Sequence, residues 1–313
     1  MFTHIDRVFG EHKPITADIF LDNYCNNKCP YCTFRRWELE PGARSVSFND
    51  FVIYASRLKE LGCIGFILTG GGEPTVAKDF DKITDWLQQN NFHYGINTNF
   101  NVLKKIKPDY LKVSLDGWDE ESYQSKRGVR AYHQVRSNIE EYAEWKATHS
   151  PNTSLGIQVL AQTATEARKF YEANRDLPVD YISIRPMEST NGTYYKNLPN
   201  DPEYDPEVIV KEIKRIASLD KRVVMNYKWE MLDRQEDCCT AEWAQIAINE
   251  IGEVMYCCHK PYQIVGHILD EDIMEKKARA GTNMRMCDIP CRMTAPNMEV
   301  RKMLSPKQDV GFI

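Results

Sequence analysis

Three cysteines stand within eight residues near the start of the chain, in the stretch CNNKCPYC at positions 25–32. They follow the apolar run ITADIFLD (15–22), which is typical of a strand. Three thiols are an odd number for disulfides and one fewer than a structural zinc site needs, and the loop holds no fourth cysteine or histidine. Thiolates on a short loop also suit a four-iron cluster with one iron left open. The spacing predicts a metal centre at Cys25, Cys29 and Cys32, with a zinc site that borrows a distant ligand as the alternative.

A second group of cysteines lies near the other end of the chain. Its six members are Cys238, Cys239, Cys257, Cys258, Cys287 and Cys291. Between them, AQIAIN alternates in polarity, a glycine follows at Gly252 and EVMYC returns, which predicts a β-hairpin that brings cysteines near its two ends together. Cys287 and Cys291 supply a further pair. Two pairs make a four-thiolate site, which suits either zinc or a four-iron cluster.

Composition limits the class of protein. The chain has 313 residues, 42% hydrophobic and 27% charged, as expected of a globular enzyme, and a net charge of −5 that argues against a broad surface for nucleic acid. No apolar run approaches the roughly 18 residues that suggest a membrane span, and the opening MFTHIDRVFGEHK has no signal core. A cytoplasmic protein is therefore predicted. Its ten cysteines are then more typical of metal ligands than of disulfides.

Strand-like and helix-like segments alternate about six times between residues 15 and 220. This alternation predicts an α/β fold of parallel strands joined by helices, either an open doubly wound sheet or a curved partial barrel. In both, ligands gather at the carboxyl ends of the strands. The segments predicted to lie at those ends are the cysteine loop, TGGGEPT (69–75), NTN (97–99), SLDG (114–117) and RPME (185–188). These segments are expected to surround one opening at that edge of the sheet.

The motif CNNKCPYC, with an aromatic residue before its third cysteine, resembles the signature of the radical SAM superfamily. The resemblance covers residues 15–220, since the core of that family is a partial (β/α)6 TIM barrel with this loop after its first strand. It implies a [4Fe–4S] cluster whose open iron is chelated by S-adenosylmethionine (SAM). It also implies a reductase such as flavodoxin or ferredoxin as electron donor, and abstraction of a substrate hydrogen atom by a 5′-deoxyadenosyl radical.

The same resemblance assigns residues to SAM. TGGGEPT is similar to the GGE motif of the family, which implies that Gly71, Gly72 and Glu73 contact the methionyl amino group. Ser114 is expected at the ribose or the methionyl carboxylate, and Arg127 near that carboxylate with a surface arginine as the alternative. Asn97 and Asn99 end the third predicted strand and are expected to reach the same cofactor.

The C-terminal cysteines resemble the SPASM or twitch extension of radical SAM enzymes, which houses auxiliary clusters. The resemblance implies a small cysteine-rich α+β domain at 221–313 that holds a second [4Fe–4S] cluster, with structural zinc as the alternative. Residues 1–14 are then an N-terminal extension that precedes the barrel at 15–220. The ligands of the second cluster are expected to be Cys239, Cys257, Cys287 and Cys291, although the sequence does not separate Cys238 from Cys239 or Cys257 from Cys258. A spare thiol, Cys258, is either inert or a hydrogen donor to a product radical.

An auxiliary cluster favours net oxidation of the substrate, by dehydrogenation or bond formation, over redox-neutral epimerisation. Arg185 and Glu188 are expected as substrate contacts, with a salt-linked pair as the alternative. Only about 14 residues precede the first predicted strand, which favours a small molecule, or a peptide recognised without a leader-binding domain. A nucleic-acid-modifying radical enzyme and a non-catalytic metal-stapled binding protein are the more remote alternatives.

Overall fold

The computed structural model describes residues 13–32, 34, 42–186, 205–226, 229, 239, 242–258, 261–283 and 297–298. Within these residues the strands are β1 (Thr16–Phe20), β2 (Gly65–Thr69), β3 (His93–Thr98), β4 (Tyr110–Ser114), β5 (Ser154–Ala161), β6 (Tyr181–Pro186), β7 (Val223–Met225), β8 (Gln245–Ile248), β9 (Glu253–Met255) and β10 (Ile264–His267). The helices are α1 (Phe48–Leu61), α2 (Phe80–Gln89), α3 (Glu120–Arg127), α4 (Tyr132–His149), α5 (Ala164–Asn174), α6 (Pro206–Leu219) and α7 (Ile273–Asn283).

The strands form one open sheet in the order β10-β9-β8-β1-β2-β3-β4-β5-β6-β7. Strands β1 to β7 are parallel, and helices connect most of them along the chain. The predicted α/β fold with a mostly parallel, open sheet is confirmed. In this arrangement the carboxyl ends of the strands meet at one edge, which is where the sequence motifs lie.

Local signals placed several helices correctly. The side chain of Ser47 caps α1 by accepting a hydrogen bond from the backbone N–H of Asp50 at 3.1 Å, and Gly62 ends the helix in the left-handed region at φ 113°. Helix α3 is not predicted by the sequence, because its residues EESYQSKR carry almost no apolar periodicity. Its start is instead fixed by a capping box between Asp119 and Ser122.

The predicted hairpin is present as β8 and β9, and β8 pairs in parallel with β1. The hairpin therefore extends the same sheet as the barrel strands. At the other end, β7 lies beyond the predicted boundary at residue 220 and pairs with β6. The division into domains at 1–14, 15–220 and 221–313 stays a prediction.

Successive side chains along each strand point to opposite faces of the sheet. On β1, Ala17 and Ile19 pack into the large core between the sheet and its helices, whereas Phe20 packs on the other face against Ala247 and Met255. Burial of an aliphatic or aromatic side chain of this size stabilises the fold by roughly 1.5–3 kcal/mol. Cys63 is buried in the large core. This packing fixes the edge from which the cysteine loop emerges.

Candidate functional site

The cysteine loop lines a cavity of about 220 Å³ at the carboxyl ends of β1 to β4. The lining residues are Cys25, Asn27, Cys29, Cys32, Phe34, Thr69, Gly70, Gly71, Gly72, Glu73, Asn97, Thr98, Asn99, Ser114 and Arg127. This set contains every residue that the sequence assigns to the first metal centre and to SAM. The structure brings them together from five separate segments of the chain.

The glycine turn after β2 packs directly on the cysteine loop. The backbone N–H of Glu73 donates to the carbonyl oxygen of Tyr24 at 2.8 Å. A Cβ atom at Gly72 would lie only 1.9 Å from that same carbonyl oxygen. A side chain at position 72 would therefore separate the turn from the loop, so glycine is required by this close approach.

The Glu73 carboxylate is a buried clamp. Its Oε1 accepts hydrogen bonds from the Thr75 backbone N–H and from the hydroxyls of Thr75 and Thr98, and its Oε2 accepts from the Asn99 backbone N–H at 2.7 Å. Burial raises the pKa of this carboxyl above its ordinary value, and the hydrogen bonds from Asn99, Thr98 and Thr75 oppose the rise. Both oxygens are thus engaged by the protein, which joins the glycine turn to the end of β3. Glu73 also lines the cavity, and Oε2 accepts a single hydrogen bond from the described residues, so its predicted contact with the methionyl amino group stays a prediction.

The two asparagines at the end of β3 have different surroundings. Asn97 donates from Nδ2 to the Thr69 hydroxyl at 3.4 Å, and its buried Oδ1 has no hydrogen-bond partner within the described residues. Asn99 turns its amide to the cysteine loop, where Nδ2 lies 2.6 Å from Oδ1 of Asn26 and 3.9 Å from the sulfur of Cys25. Asn97 therefore offers the cavity an acceptor, whereas Asn99 also fastens the loop.

A buried ion pair closes one side of the cavity. The Arg127 guanidinium contacts Asp116 at 2.5 Å, and the Tyr31 hydroxyl donates to the same carboxylate at 3.1 Å. Burial alone lowers the pKa of Arg127, but Asp116, Tyr31 and Cys29 outweigh it and hold the pKa well above its ordinary value. The surface alternative for Arg127 is wrong, because only 12% of its side chain is exposed.

Asp116 is a site residue that sequence reasoning missed. It is completely buried and adopts a left-handed backbone conformation at φ 45°. It also accepts a hydrogen bond from the backbone N–H of Leu160 at 2.6 Å, which ties β4 to β5. The signal available was an aspartate next to glycine at a strand end in SLDG, where Asp tolerates positive φ.

The three thiols are suited to an iron–sulfur cluster. The pKa of Cys25 is raised to about 12, mainly by burial, with smaller increases from Glu73, Cys29 and Cys32 and an opposing hydrogen bond from the Asn27 backbone. Bound metal must therefore displace the proton, as soft metals do from thiols. In the described parts of the chain no three His, Cys, Asp or Glu side chains are grouped as the ligands of one metal ion would be. Cys25, Cys29 and Cys32 line one cavity, and thiolates on a short loop are the ligands of a four-iron cluster.

One of the two predicted substrate contacts, Arg185, lies apart from this cavity wall. Arg185, at the end of β6, donates to Oε1 of Gln158 at 3.4 Å and is not among the residues that line the cavity. Glu188 lies outside the described residues. Their roles stay predictions.

Only part of the second cysteine group can be placed. The sulfur of Cys239 lies 3.6 Å from Nδ2 of Asn297, and Cys258 packs against the cluster of Phe20, Ala247 and Met255. Phe34 packs on the same cluster and also lines the cavity. The other predicted auxiliary ligand that is described, Cys257, is half-buried. Cys238, Cys287 and Cys291 lie outside the described residues, so the four-thiolate site stays a prediction.

Comparison with known proteins agrees with the geometry of the cavity. Residues 19–172 match the Radical SAM superfamily. The chain is 21% identical over 303 residues to the sporulation killing factor maturation protein SkfB of Bacillus subtilis, an alignment that covers 92% of this chain and 70% of SkfB. It is 27% identical over 215 residues to the mitochondrial GTP 3′,8-cyclase of Arabidopsis thaliana, covering 64% and 53%.

A third relative is a putative glycyl-radical enzyme activating enzyme of Methanocaldococcus jannaschii, 28% identical over 129 residues that cover 38% of this chain. The chain spans 49% of that relative, and thus about half the length of several curated relatives. Among solved structures, Streptococcus suis SuiB bound to its precursor peptide SuiA has a TM-score of 0.62 at 15% identity, covering 82% of this chain and 62% of SuiB. AnSMEcpe with bound AdoMet has a TM-score of 0.61 at 17% identity, covering 85% and 83%.

The chain thus contains a radical SAM superfamily domain, over residues 19–172. The fold is that of the radical SAM partial barrels to which it is similar. The cofactors that define this superfamily are SAM and a [4Fe–4S] cluster, and the cavity residues fit both. None of the helices in the described segments has the length and apolar composition that crossing a bilayer requires.

Proposed function

We propose that the protein is a radical SAM enzyme that cleaves SAM reductively in this cavity. The observation that carries the proposal is the convergence of Cys25, Cys29 and Cys32 with the glycine turn, Ser114 and Arg127 on one cavity wall. Cys25, Cys29 and Cys32 would hold the cluster through their thiolates, and the glycine turn, Ser114 and Arg127 would hold SAM beside it. When bound and reduced, this cofactor pair supplies a carbon radical able to take a hydrogen atom from an unactivated C–H bond.

The residues of this chain act by binding and orienting. The backbone of the turn at Gly71 and Gly72 lies open to the cavity and suits the methionyl amino group. The Asn97 amide, with its buried acceptor, suits a hydroxyl or ammonium donor. Ser114, half-buried at the end of β4, suits the ribose or the carboxylate. The Asp116–Arg127 pair holds the wall behind the cysteine loop in place.

For the substrate we propose a peptide, and net oxidation as the outcome. Support comes from SkfB, a maturation protein to which 92% of this chain aligns, and from SuiB, whose structure holds a precursor peptide. An auxiliary cluster at Cys239, Cys257, Cys287 and Cys291 would accept the electron released when the substrate radical is oxidised. The reductant that starts each turnover is a flavodoxin or ferredoxin. Arg185 and Glu188 remain the proposed substrate contacts, and Cys258 the proposed hydrogen donor if the outcome is epimerisation.

The second candidate is oxidation or cyclisation of a small molecule. It is favoured by the relatives named GTP 3′,8-cyclase, one of which is 27% identical to this chain over 215 residues. The two candidates differ in the size of the substrate that must enter the open barrel.

Reconstitution under strict exclusion of air tests the proposed chemistry. The wild-type protein, reduced with dithionite, is expected to convert SAM to 5′-deoxyadenosine, measured by chromatography. The variant C25A/C29A/C32A is expected to lose this activity. Cys63→Ala, which changes a core cysteine outside the cavity, serves as the matched control and should keep it. Cleavage of SAM by the triple variant would refute the site.

Coexpression with a short open reading frame next to the gene tests the substrate class. A peptide that loses the mass of two hydrogen atoms would support peptide oxidation. An unchanged mass with inverted stereochemistry would support epimerisation. If no peptide changes, and purified GTP or another small molecule is consumed together with SAM, the second candidate replaces the first.

A further inference from the structure

Asn27 occupies a special position in the cysteine loop. It stands between two ligands of the proposed cluster, two residues from each of Cys25 and Cys29. Only 2% of its surface is exposed, and it is one of the residues that line the cavity.

The Asn27 amide lies in a buried network of polar side chains. Its Oδ1 accepts a hydrogen bond from Nδ2 of Asn101 at 2.6 Å. The other side of the Asn101 amide, Oδ1, accepts from the Tyr123 hydroxyl at 3.1 Å. The Asn101 amide is thus held at both ends, and it holds the Asn27 oxygen.

The support behind this amide is itself rigid. The buried Asn138 donates from Nδ2 to the carbonyl oxygens of Phe100 at 2.8 Å and Asn101 at 3.3 Å. A parallel bridge joins Asn99 to Asn26, the neighbour of Asn27 in the loop, at 2.6 Å. Two asparagine bridges therefore fasten two successive loop residues to the end of β3. An amide held in this way keeps its direction when the cavity is filled.

No hydrogen bond of ordinary geometry leaves the buried Nδ2 of Asn27 within the described residues, although the Tyr123 hydroxyl lies beside this side chain. A buried donor without an acceptor is costly and is rare in native proteins. An acceptor supplied by the occupant of the cavity removes that cost. The occupant nearest to Asn27 is the one bound by its neighbours Cys25 and Cys29, which is the cluster, and its sulfur atoms are acceptors.

We infer that the Asn27 side chain donates an N–H···S hydrogen bond to the iron–sulfur cluster and raises its reduction potential, with Asn101 as the positioning residue. The inference rests on the proposed function. Reduction adds negative charge to the cluster sulfurs, so a donor stabilises the reduced form more than the oxidised form. Hydrogen bonds to the sulfurs are among the factors that set the potential of such clusters.

Two variants separate the donor from its surroundings. Asn27→Leu removes the donor without adding charge, and Asn27→Asp keeps the oxygen that accepts from Asn101 but replaces the donor with a carboxylate oxygen. The same two changes at Asn152, an exposed turn residue, are the matched controls. Each protein is reconstituted, its iron is counted, and the cluster is titrated by EPR at defined solution potentials in the absence of SAM.

The expected result is about a tenfold lower ratio of reduced to oxidised cluster for Asn27→Leu at a fixed potential, which is about 59 mV for a one-electron couple. For Asn27→Asp this ratio is expected to be lower still, and for both Asn152 variants it is expected to match the wild type. A loaded Asn27→Leu cluster with the wild-type potential would overturn the inference. So would a change confined to SAM affinity, measured by calorimetry, because the donor would then belong to SAM.

A measurement on the wild type keeps the inference testable if the variants load no iron. With asparagine side chains labelled with ¹⁵N, pulsed EPR of the reduced cluster is expected to show a nitrogen coupling from a side-chain amide, and absence of that coupling would overturn the inference. The proposed function fails in a different way. If the wild type binds no iron at Cys25, Cys29 and Cys32, or leaves SAM intact, the proposed enzyme is refuted before any potential is measured.

Discussion

The backbone N–H of Asn99 donates to Oε2 of Glu73 at 2.7 Å, and both residues are almost completely buried. This bond joins the glycine turn after β2 to the end of β3. Through the Asn99 side chain it continues to Asn26 and the cysteine loop. Three segments that the sequence separates by tens of residues are thereby held as one unit around the cavity.

Because the buried Glu73 carboxylate holds two backbone N–H groups, we expect the substitution Glu73→Gln to destabilise the protein strongly. Each oxygen of the carboxylate accepts from a backbone N–H, Oε1 from Thr75 and Oε2 from Asn99. In Glu73→Gln the amide NH2 must therefore face a backbone N–H whichever way it is turned. We expect the free energy of unfolding to fall by about 2–4 kcal/mol, measured by urea denaturation, and SAM to bind more weakly. The exposed Glu140→Gln is the control, and a Glu73→Gln protein as stable as this control would contradict the clamp.

For the Asp116–Arg127 pair we expect that the losses of unfolding free energy caused by the two single substitutions are not additive. Removing one partner leaves a buried charge alone, so Asp116→Asn and Arg127→Met are each expected to destabilise the protein by about 3–5 kcal/mol. The double variant is expected to recover part of that loss. Urea denaturation of the four proteins in a double-mutant cycle measures the coupling.

An exposed pair provides the comparison for this cycle. Arg57 and Glu60 lie 3.3 Å apart on α1 with 26% and 67% of their side chains exposed. Their coupling is expected to be about 0–1 kcal/mol. Equal coupling energies for the buried and the exposed pair would show that the cavity wall does not depend on Asp116.

The glycine turn offers two neighbouring positions with opposite expectations. A Cβ at Gly72 would strike the Tyr24 carbonyl oxygen at 1.9 Å, whereas a Cβ at Gly71 meets the ring of Phe20 at 3.3 Å and the Asp22 carbonyl oxygen at 3.6 Å, distances that a shift of a few tenths of an ångström relieves. Gly72→Ala is therefore expected to push the turn off the cysteine loop and to lower the iron retained after reconstitution. Gly71→Ala should retain iron as the wild type does. Equal iron in the two variants would contradict the close packing of turn and loop.

The auxiliary site predicts an iron count. Two cubanes give about eight irons per chain, and the double variant Cys239→Ala/Cys257→Ala is expected to retain about four, with SAM cleavage preserved. Iron and zinc are measured together after anaerobic reconstitution. Zinc in the wild type that disappears in this variant would assign a structural zinc site instead of a second cluster.

Local chemistry explains which parts of the fold the sequence predicted well. The ends of helix α1 can be read from Ser47, Asp50 and Gly62, because its caps depend on residues a few positions apart. Strand β7 and strand β10 were not predicted, since segments of three and four residues carry little periodicity and are formed by pairing with distant strands. The hairpin at Gly252 was predicted and is confirmed, but its parallel pairing with β1 was not foreseen.

The same distinction holds at the cavity. The sequence by itself determined the kind of chemistry, because three cysteines at this spacing after a strand, followed by GGE after the next one, limit the ligands that can bind. Only the tertiary structure decided how each residue is used. Glu73 turned out to hold the end of β3, Arg127 to pair with Asp116, and Asn27 to rest on Asn101, 74 positions further along the chain. The residues that bind a metal can be identified from residue types and short spacings in the sequence. The hydrogen-bond partner of a side chain depends instead on which strands lie next to each other in the fold.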